Sequence, residues 1–221
     1  MPSPCARRRA PVRCGSTTAD PLGDRIERRR TQWLAEGRAG AMQWLERDRP
    51  RRTHPDDLLP GARTAVVVLA GYYDGDHDSL PAPGGCPRGK VARYAWGRDY
   101  HHVMRERLDA LGAWLADEAA RREAPDVRPV EWRACVDSAP LDERALAVRA
   151  GLGFIGKNTL LLTPDAGSYA LIGVLLTTLA LPPDAPLAPS PTHSCGGCRR
   201  CIEACPTGAI DHPYRLDPRR C

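Results

Sequence analysis

The chain has no long apolar run. Its longest, Ala170 to Leu181, is interrupted by Thr177 and Thr178 and closed by Pro182 and Pro183, so it is too short to span a bilayer. The opening MPSPCARRRAPVRCG carries basic residues with no apolar segment behind them, which is not the pattern of a secretory signal. Phenylalanine is nearly absent, with Phe154 alone. Lysine is scarce too. Of 32 basic side chains only Lys90 and Lys157 are lysines, so the net charge of +5 rests on arginine. The planar guanidinium fork binds phosphate at two points at once, which suits phosphate-bearing partners, although a GC-rich genome accounts for abundant arginine equally well. Cysteine is what the chain has in quantity, with nine. Without a secretory signal these read as metal ligands in a reducing cytoplasm, not as disulfides.

At 221 residues the chain can bury one sizeable core and still carry a small appendix. Residues 1–24 are rich in Pro and Arg and lack periodicity, so they are expected to be poorly ordered. Asp24 to Glu46 suits helical stretches broken near Gly37 and Gly40. TAVVVLAGYY (64–73) is a continuous apolar run of strand length, and EWRACV (131–136) and YALIGVLLTTLAL (169–181) give two more strands. Residues 74–90 hold Gly, Pro and Asp in quantity and read as a loop. From Asp99 onwards Met104, Leu108, Leu111 and Leu115 recur at helical spacing, and a second helix starts after Ser138 and stops at Gly151. Strands alternating with helices predict an α/β (α+β) core over 25–183, followed by a small cysteine module over 184–221.

That module reads HSCGGCRRCIEACPTGAI, with Cys195, Cys198, Cys201 and Cys205 in a C-x2-C-x2-C-x3-C-P run. Such a run ligates [4Fe–4S] clusters in a ferredoxin-like fold, and its fourth cysteine normally serves a second cluster. Zinc is the competing reading, but zinc pairs of C-x2-C usually come well separated.

Three other segments hold chemistry. GLGFIGKN (151–158) matches both G-x-G-x-x-G and G-x4-G-K. Yet its glycines follow a helix where a dinucleotide fingerprint follows a strand, and Asn158 stands where a phosphate loop needs Ser or Thr. Both phosphate readings fail. Gly151 suits a helix stop, and the rest suggests backbone packed closely against a flat or bulky ligand. AWGRDYHH (95–102) concentrates aromatic and titratable groups where a helix begins, and VDSAPLDER (136–144) puts Asp137 at the end of a strand. Core aromatics and a helix cap are the plain roles for these two segments.

Taken together, RTHPDDLLPGARTAVVVLAGYY, VARYAWGRDYHHVMRERLDALGAWL, CVDSAPLDERALAVRAGLGFIGKNTLLLTP, GSYALIGVLLTT and CGGCRRCIEACPTGAI resemble, in that order, the epoxyqueuosine reductases. The resemblance implies reduction of an epoxide on a modified tRNA base, which completes queuosine. Electrons would arrive through two [4Fe–4S] clusters onto cobalamin, from a low-potential donor of flavodoxin or ferredoxin type. It implies that Asp137 is the proton donor, buried so that its carboxyl holds a proton. Tyr100 and His101 would lie beside the cobalamin, with Ser138, Gly153, Gly156, Lys157 and Asn158 as further contacts. Cys195, Cys198, Cys201, Cys205 and Cys221 would be the metal ligands. The family's second cysteine run would fall beyond Cys221, so the chain is expected to be a truncated member with at most one complete cluster. A monomer acting on epoxyqueuosine-bearing tRNA is expected. The rival classes are a non-catalytic corrinoid or iron–sulfur carrier, and a corrinoid reductive enzyme of the dehalogenase kind.

Overall fold

The computed structural model describes residues 12–47, 51–73, 91–122, 129–164 and 166–221. The expected loop over 74–90 lies outside the described residues. In chain order the elements are β1 (Val12–Thr18), α1 (Asp24–Ala35), α2 (Trp44–Arg47), β2 (Thr64–Gly71), α3 (Tyr100–Arg121) and β3 (Trp132–Cys135). They continue with α4 (Glu143–Arg149), β4 (Phe154–Ile155), β5 (Leu161–Leu162), β6 (Ala170–Thr177) and α5 (Arg200–Glu203).

Strand alternation sorts the core into two. Ala65, Val67 and Leu69 of β2, with Val174 and Leu176 of β6, join Leu146, Ala147 and Ala150 of α4. The intervening Val66, Val68 and Ala70, with Leu171 and Leu175, meet Met104, Leu108, Leu111 and Leu115 of α3. A period of two along a strand divides alternate side chains between opposite faces. The continuous apolar runs in the sequence therefore belong to strands covered on both sides. The sheet has the order β1-β2-β6-β3, and every pairing among the described residues is antiparallel. One helix lies on each face, which is the mixed α/β layering that the sequence predicts. Leu146, Leu175 and Leu176 are fully enclosed, each contributing about 1.5–3 kcal/mol of burial.

The expectation of poor order across 1–24 fails for its second half. Val12–Thr18 forms an edge strand in register with β2, from Val12 opposite Ala70 to Thr18 opposite Thr64. The segment VRCGSTT is too polar to stand out as a strand. It is held instead by ladder hydrogen bonds and by polar contacts from elsewhere in the chain. Arg149 at the end of α4 donates to the carbonyl oxygens of Thr18 and Asp20 and to Thr17 Oγ1. The Ser16 carbonyl accepts from the Asp184 backbone N–H, while the Ser16 N–H and hydroxyl both donate to the Asp184 carboxylate in the linker. Gly15 is required there, since a Cβ would stand 2.6 Å from the Ala150 carbonyl oxygen.

The cysteine module is tied back to the core at its far end. Trp33 Nε1 of α1 donates to the Leu216 carbonyl at 2.9 Å. Arg38, just after α1, pairs with Glu36 at 2.6 Å and with Asp211 at 3.1 Å. Arg215 closes the group on Asp211 at 3.0 Å, so α1 serves as the seat of residues 209–217. Between core and module lies the small β4–β5 hairpin, whose two-residue strands leave no periodic signal.

The packing of α3 on β3 turns on one helical glycine. A Cβ on Gly112 would lie 2.4 Å from the Trp132 ring. Gly112→Ala should therefore destabilise the chain by about 1–3 kcal/mol through overpacking, despite alanine's better helix propensity. Urea unfolding reads this directly, and a stabilised variant would show that the Trp132 ring is free to move.

Candidate functional site

The long helix α3 begins at a cap that also serves the site. Asp99 precedes it, and one carboxylate oxygen accepts from the His101 backbone N–H at 2.9 Å, which satisfies an amide left open at the helix start. The same Oδ1 lies 2.8 Å from His101 Nδ1. Thus the group that starts the helix also orients the imidazole. Across from it, β3 ends at Cys135 and the chain turns sharply, with Ser138 N–H bonded to the Val136 carbonyl. That turn leaves Asp137 at φ 54°, a left-handed conformation that few non-glycine residues adopt. Strain of this kind persists only where surrounding structure imposes it, and it gathers at working sites.

The two ends meet at one atom. Asp137 Oδ2 accepts from the Tyr100 hydroxyl at 3.1 Å and stands 3.3 Å from His101 Nε2. Tyr100 and His101 stack, ring centroids 4.0 Å apart. A neutral imidazole has one N–H and can donate to only one of its two carboxylate neighbours, whereas an imidazolium donates to both. Burial opposes that charge, but the hydrogen bonds to Asp99 and Asp137 outweigh it and raise the His101 pKa above its ordinary value. The bond from His101 holds the Asp99 carboxyl below the usual range. Burial, then the Asp137 carboxylate, push the Tyr100 phenol far up, so it stays a neutral donor.

Asp137 itself is not buried. Among the described residues its side chain is 69% exposed, so the enclosure expected of this acid is left to the corrin. Below it sits a different carboxyl. Glu143, in the first turn of α4, has Oε1 enclosed without a hydrogen-bond partner. Burial raises its pKa to about 8, its own backbone N–H opposing and the charges of Asp142 and Asp137 adding to the rise.

The residues expected around the cofactor divide into two groups. Tyr100 and His101 meet Asp137, Ser138 follows it in the chain, and exposed Tyr94 stands edge-on to Tyr100 at 6.2 Å, with exposed Trp96 two residues further on. An exposed aromatic surface beside the acid suits the flat face of a corrin. Gly153, Gly156, Lys157 and Asn158 have partners within the chain. A Cβ on Gly153 would stand 2.5 Å from the Leu162 carbonyl, and one on Gly156 would stand 2.7 Å from Asn158 Oδ1. Gly153 is thus required by the backbone of the β4–β5 hairpin, whereas the neighbours of Gly156 are side-chain ends of Asn158 and Leu162. Asn158 Oδ1 accepts from Leu160 N–H within its turn. Lys157 reaches the cysteine loop, donating to the carbonyls of Gly196 at 2.6 Å and Cys198 at 2.9 Å.

All seven cysteines among the described residues are free thiols. No three His, Cys, Asp or Glu side chains among those residues converge to hold a single metal ion. A four-iron cluster offers its irons at separate corners, so its thiolates need not converge on a point. The donor set fits that group. The Ile210 backbone N–H, with weaker help from Thr207 and Ala209 against partial burial, lowers the Cys205 pKa to about 7, and amides pointed at sulfur are what a ligating thiolate needs. Asp99, Glu143 and the role of Lys157 escape the sequence reading. Asp99 carries a cap signal, but nothing in spacing couples it to Asp137.

Residues 52–138 match the family model described as "Epoxyqueuosine reductase QueG, DUF1730", and residues 192–211 match a "4Fe-4S binding domain". An epoxyqueuosine reductase of Synechococcus sp. (strain RCC307) is 45% identical over 206 residues, 92% of this chain and 58% of the relative. One from Escherichia coli (strain K12) is 39% identical over 86% of this chain and 47% of the relative. The crystal structure of epoxyqueuosine reductase with a tRNA-Tyr epoxyqueuosine-modified stem loop superposes with a TM-score of 0.81 at 33% identity, covering 95% of this chain and 52% of that one. A Bacillus subtilis epoxyqueuosine reductase, its catalytic aspartate loop swung out of the active site, gives 0.79 at 33% identity over 95% and 51%. The chain spans about half the length of the curated relatives it matches. No helix among the described residues is long and apolar enough to cross a membrane.

The bridge from Asp99 through His101 to Asp137 makes a titration prediction. The raised His101 pKa means that the bridge stabilises the folded chain fully below about pH 6.5, and that this stabilisation is lost as pH rises through the folded value. By NMR the His101 ring should titrate above an ordinary histidine, and Asp137→Asn or Asp99→Asn should each lower its midpoint. A midpoint that Asp137→Asn leaves unmoved would show the contact to be incidental.

Proposed function

We propose that this chain, related by sequence and by fold to the epoxyqueuosine reductases, carries the proton-delivering site and the first cysteine run of such an enzyme. The observation behind this reading is the convergence of Tyr100 and His101 on Asp137 Oδ2. The reaction converts an epoxide, two electrons and two protons into an alkene and water. Its substrate is epoxyqueuosine in tRNA, in keeping with the stem loop seen in the related structure and with the arginine-based charge. Free thiols at every described cysteine fit a reducing cytoplasm.

Cobalamin, when bound, supplies the two-electron reduction, and Tyr100, His101 and Ser138 would hold it on the aromatic face beside Asp137. The iron–sulfur supply would use Cys195, Cys198, Cys201 and Cys205, with Cys221 as a further ligand. What the protein's own groups do is move protons. As the epoxide opens, its oxygen becomes an alkoxide, which a positioned acid stabilises by donating to it. Asp137 stands exposed for that contact. His101, whose contacts to two carboxylates favour its charged form, has Nε2 3.3 Å from Asp137 Oδ2 and can restore the proton that Asp137 gives up. Tyr100 fixes the carboxylate through its hydroxyl and stays neutral while doing so.

The test uses the full chain, loaded anaerobically with cobalamin that titanium(III) citrate reduces directly, so that no second cluster is needed, and given tRNA that carries epoxyqueuosine. The modified nucleoside should lose the mass of one oxygen, and Asp137→Asn should slow this by a factor on the order of 100 or more. Equal conversion by both proteins, or none by either, contradicts the reading.

A further inference from the structure

The turn of the β4–β5 hairpin is fastened to the cysteine loop by a single residue. Lys157 Nζ donates to the carbonyls of Gly196 and Cys198, at 2.6 and 2.9 Å. Its backbone N–H lies 3.4 Å from Cys195 Sγ. Its carbonyl in turn accepts from Tyr214 N–H at 2.9 Å, on the far side of the module. The loop it grips has little else to pack on. A Cβ on Gly196 or Gly197 would meet nothing within 4 Å, and Cys198 is exposed. One ammonium group thus satisfies two loop carbonyls, and the backbone N–H of the same residue points at the Cys195 sulfur.

We propose that Lys157 is a positioning residue for the iron–sulfur site. It holds the Cys195–Cys198 loop in its ligating shape, and its fixed charge and N–H···S contact make the cluster on those thiols easier to reduce. The inference rests on the reading that these cysteines ligate a cluster. Its physical basis is general. Positive charge and hydrogen bonds to sulfur stabilise the reduced cluster, which carries one more electron, and so raise the reduction potential. Neither effect needs Lys157 to touch substrate or to change protonation. A lysine beside the run also gives a reason for one of only two lysines in a chain whose basic residues are otherwise arginine.

Two readouts on the full chain separate the docking role from the cluster. In the metal-free chain, alkylation of Cys195 and Cys198 is followed by mass spectrometry. Lys157→Met should speed it by about tenfold, the cost of losing two hydrogen bonds to the loop, while Lys157→Arg should stay closer to the parent. In the anaerobically reconstituted chain, a redox titration followed by electron paramagnetic resonance should give Lys157→Gln a lower midpoint potential than the parent, with Lys157→Arg near the parent. Unchanged alkylation in Lys157→Met overturns the docking role, and an unchanged potential in Lys157→Gln overturns the electrostatic one. If the parent chain takes up no iron, the cluster reading fails, and the alkylation rates still decide whether Lys157 holds the loop.

Discussion

The pairing of β2 with β6 is the constraint on which the other features depend. Eight consecutive residue pairs, from Thr64 opposite Thr177 to Gly71 opposite Ala170, fix the register of the two central strands. A slip by one residue would turn every side chain to the wrong face, and both faces here are covered. With that register set, α3 has one place to lie. Gly173 of β6 leaves space for Leu108 and Met104, whose side-chain atoms would stand 2.9 Å from a Cβ there. Gly112 of α3 likewise leaves space for Trp132 of β3. The start of α3 and the end of β3 are thereby brought together, and these carry Tyr100, His101 and Asp137.

Electrostatics at that meeting point favours charge on the histidine and neutrality on the tyrosine. His101 lies between two carboxylates, Asp99 and Asp137, and only its protonated form satisfies both. Tyr100, next to the same carboxylate, is likewise kept protonated, which leaves it neutral. Perturbed titratable groups gathered around one exposed carboxylate are a pattern found at functional sites. The exposed carboxylate between them is the group that is free to meet a ligand. Its left-handed backbone keeps it at the tip of a tight turn, where a small rotation would move it towards or away from the aromatic face.

Much of this was legible in the sequence, and the misses have physical causes. The strands at 64–73, 131–136 and 169–181 announce themselves because burial on both faces demands unbroken apolar runs. Helix α3 shows in the spacing of Met104, Leu108, Leu111 and Leu115. Strand β1 does not show, because VRCGSTT takes its stability from an edge ladder and from Arg149, a contact more than 130 residues away in sequence. The hairpin glycines looked like a ligand cradle, since sequence cannot say whether a close approach is to a ligand or to the chain's own Leu162 carbonyl. The grouping of Tyr100, His101 and Asp137 came from family resemblance and not from spacing, for 36 residues separate His101 from Asp137. Lys157 carried no signal of its role, because the cysteine loop it grips lies about forty residues further on.

The central claim is that Asp137, held by Tyr100 and His101, faces the cofactor and the base that is reduced. It is tested most directly by a crystal structure of the chain after anaerobic reconstitution with cobalamin. The account predicts the corrin against the Tyr100, Tyr94 and Trp96 face, with the Asp137 carboxylate still bonded to the Tyr100 hydroxyl and His101 Nε2. A corrin bound elsewhere, or an Asp137 carboxylate turned away from both partners, would contradict it.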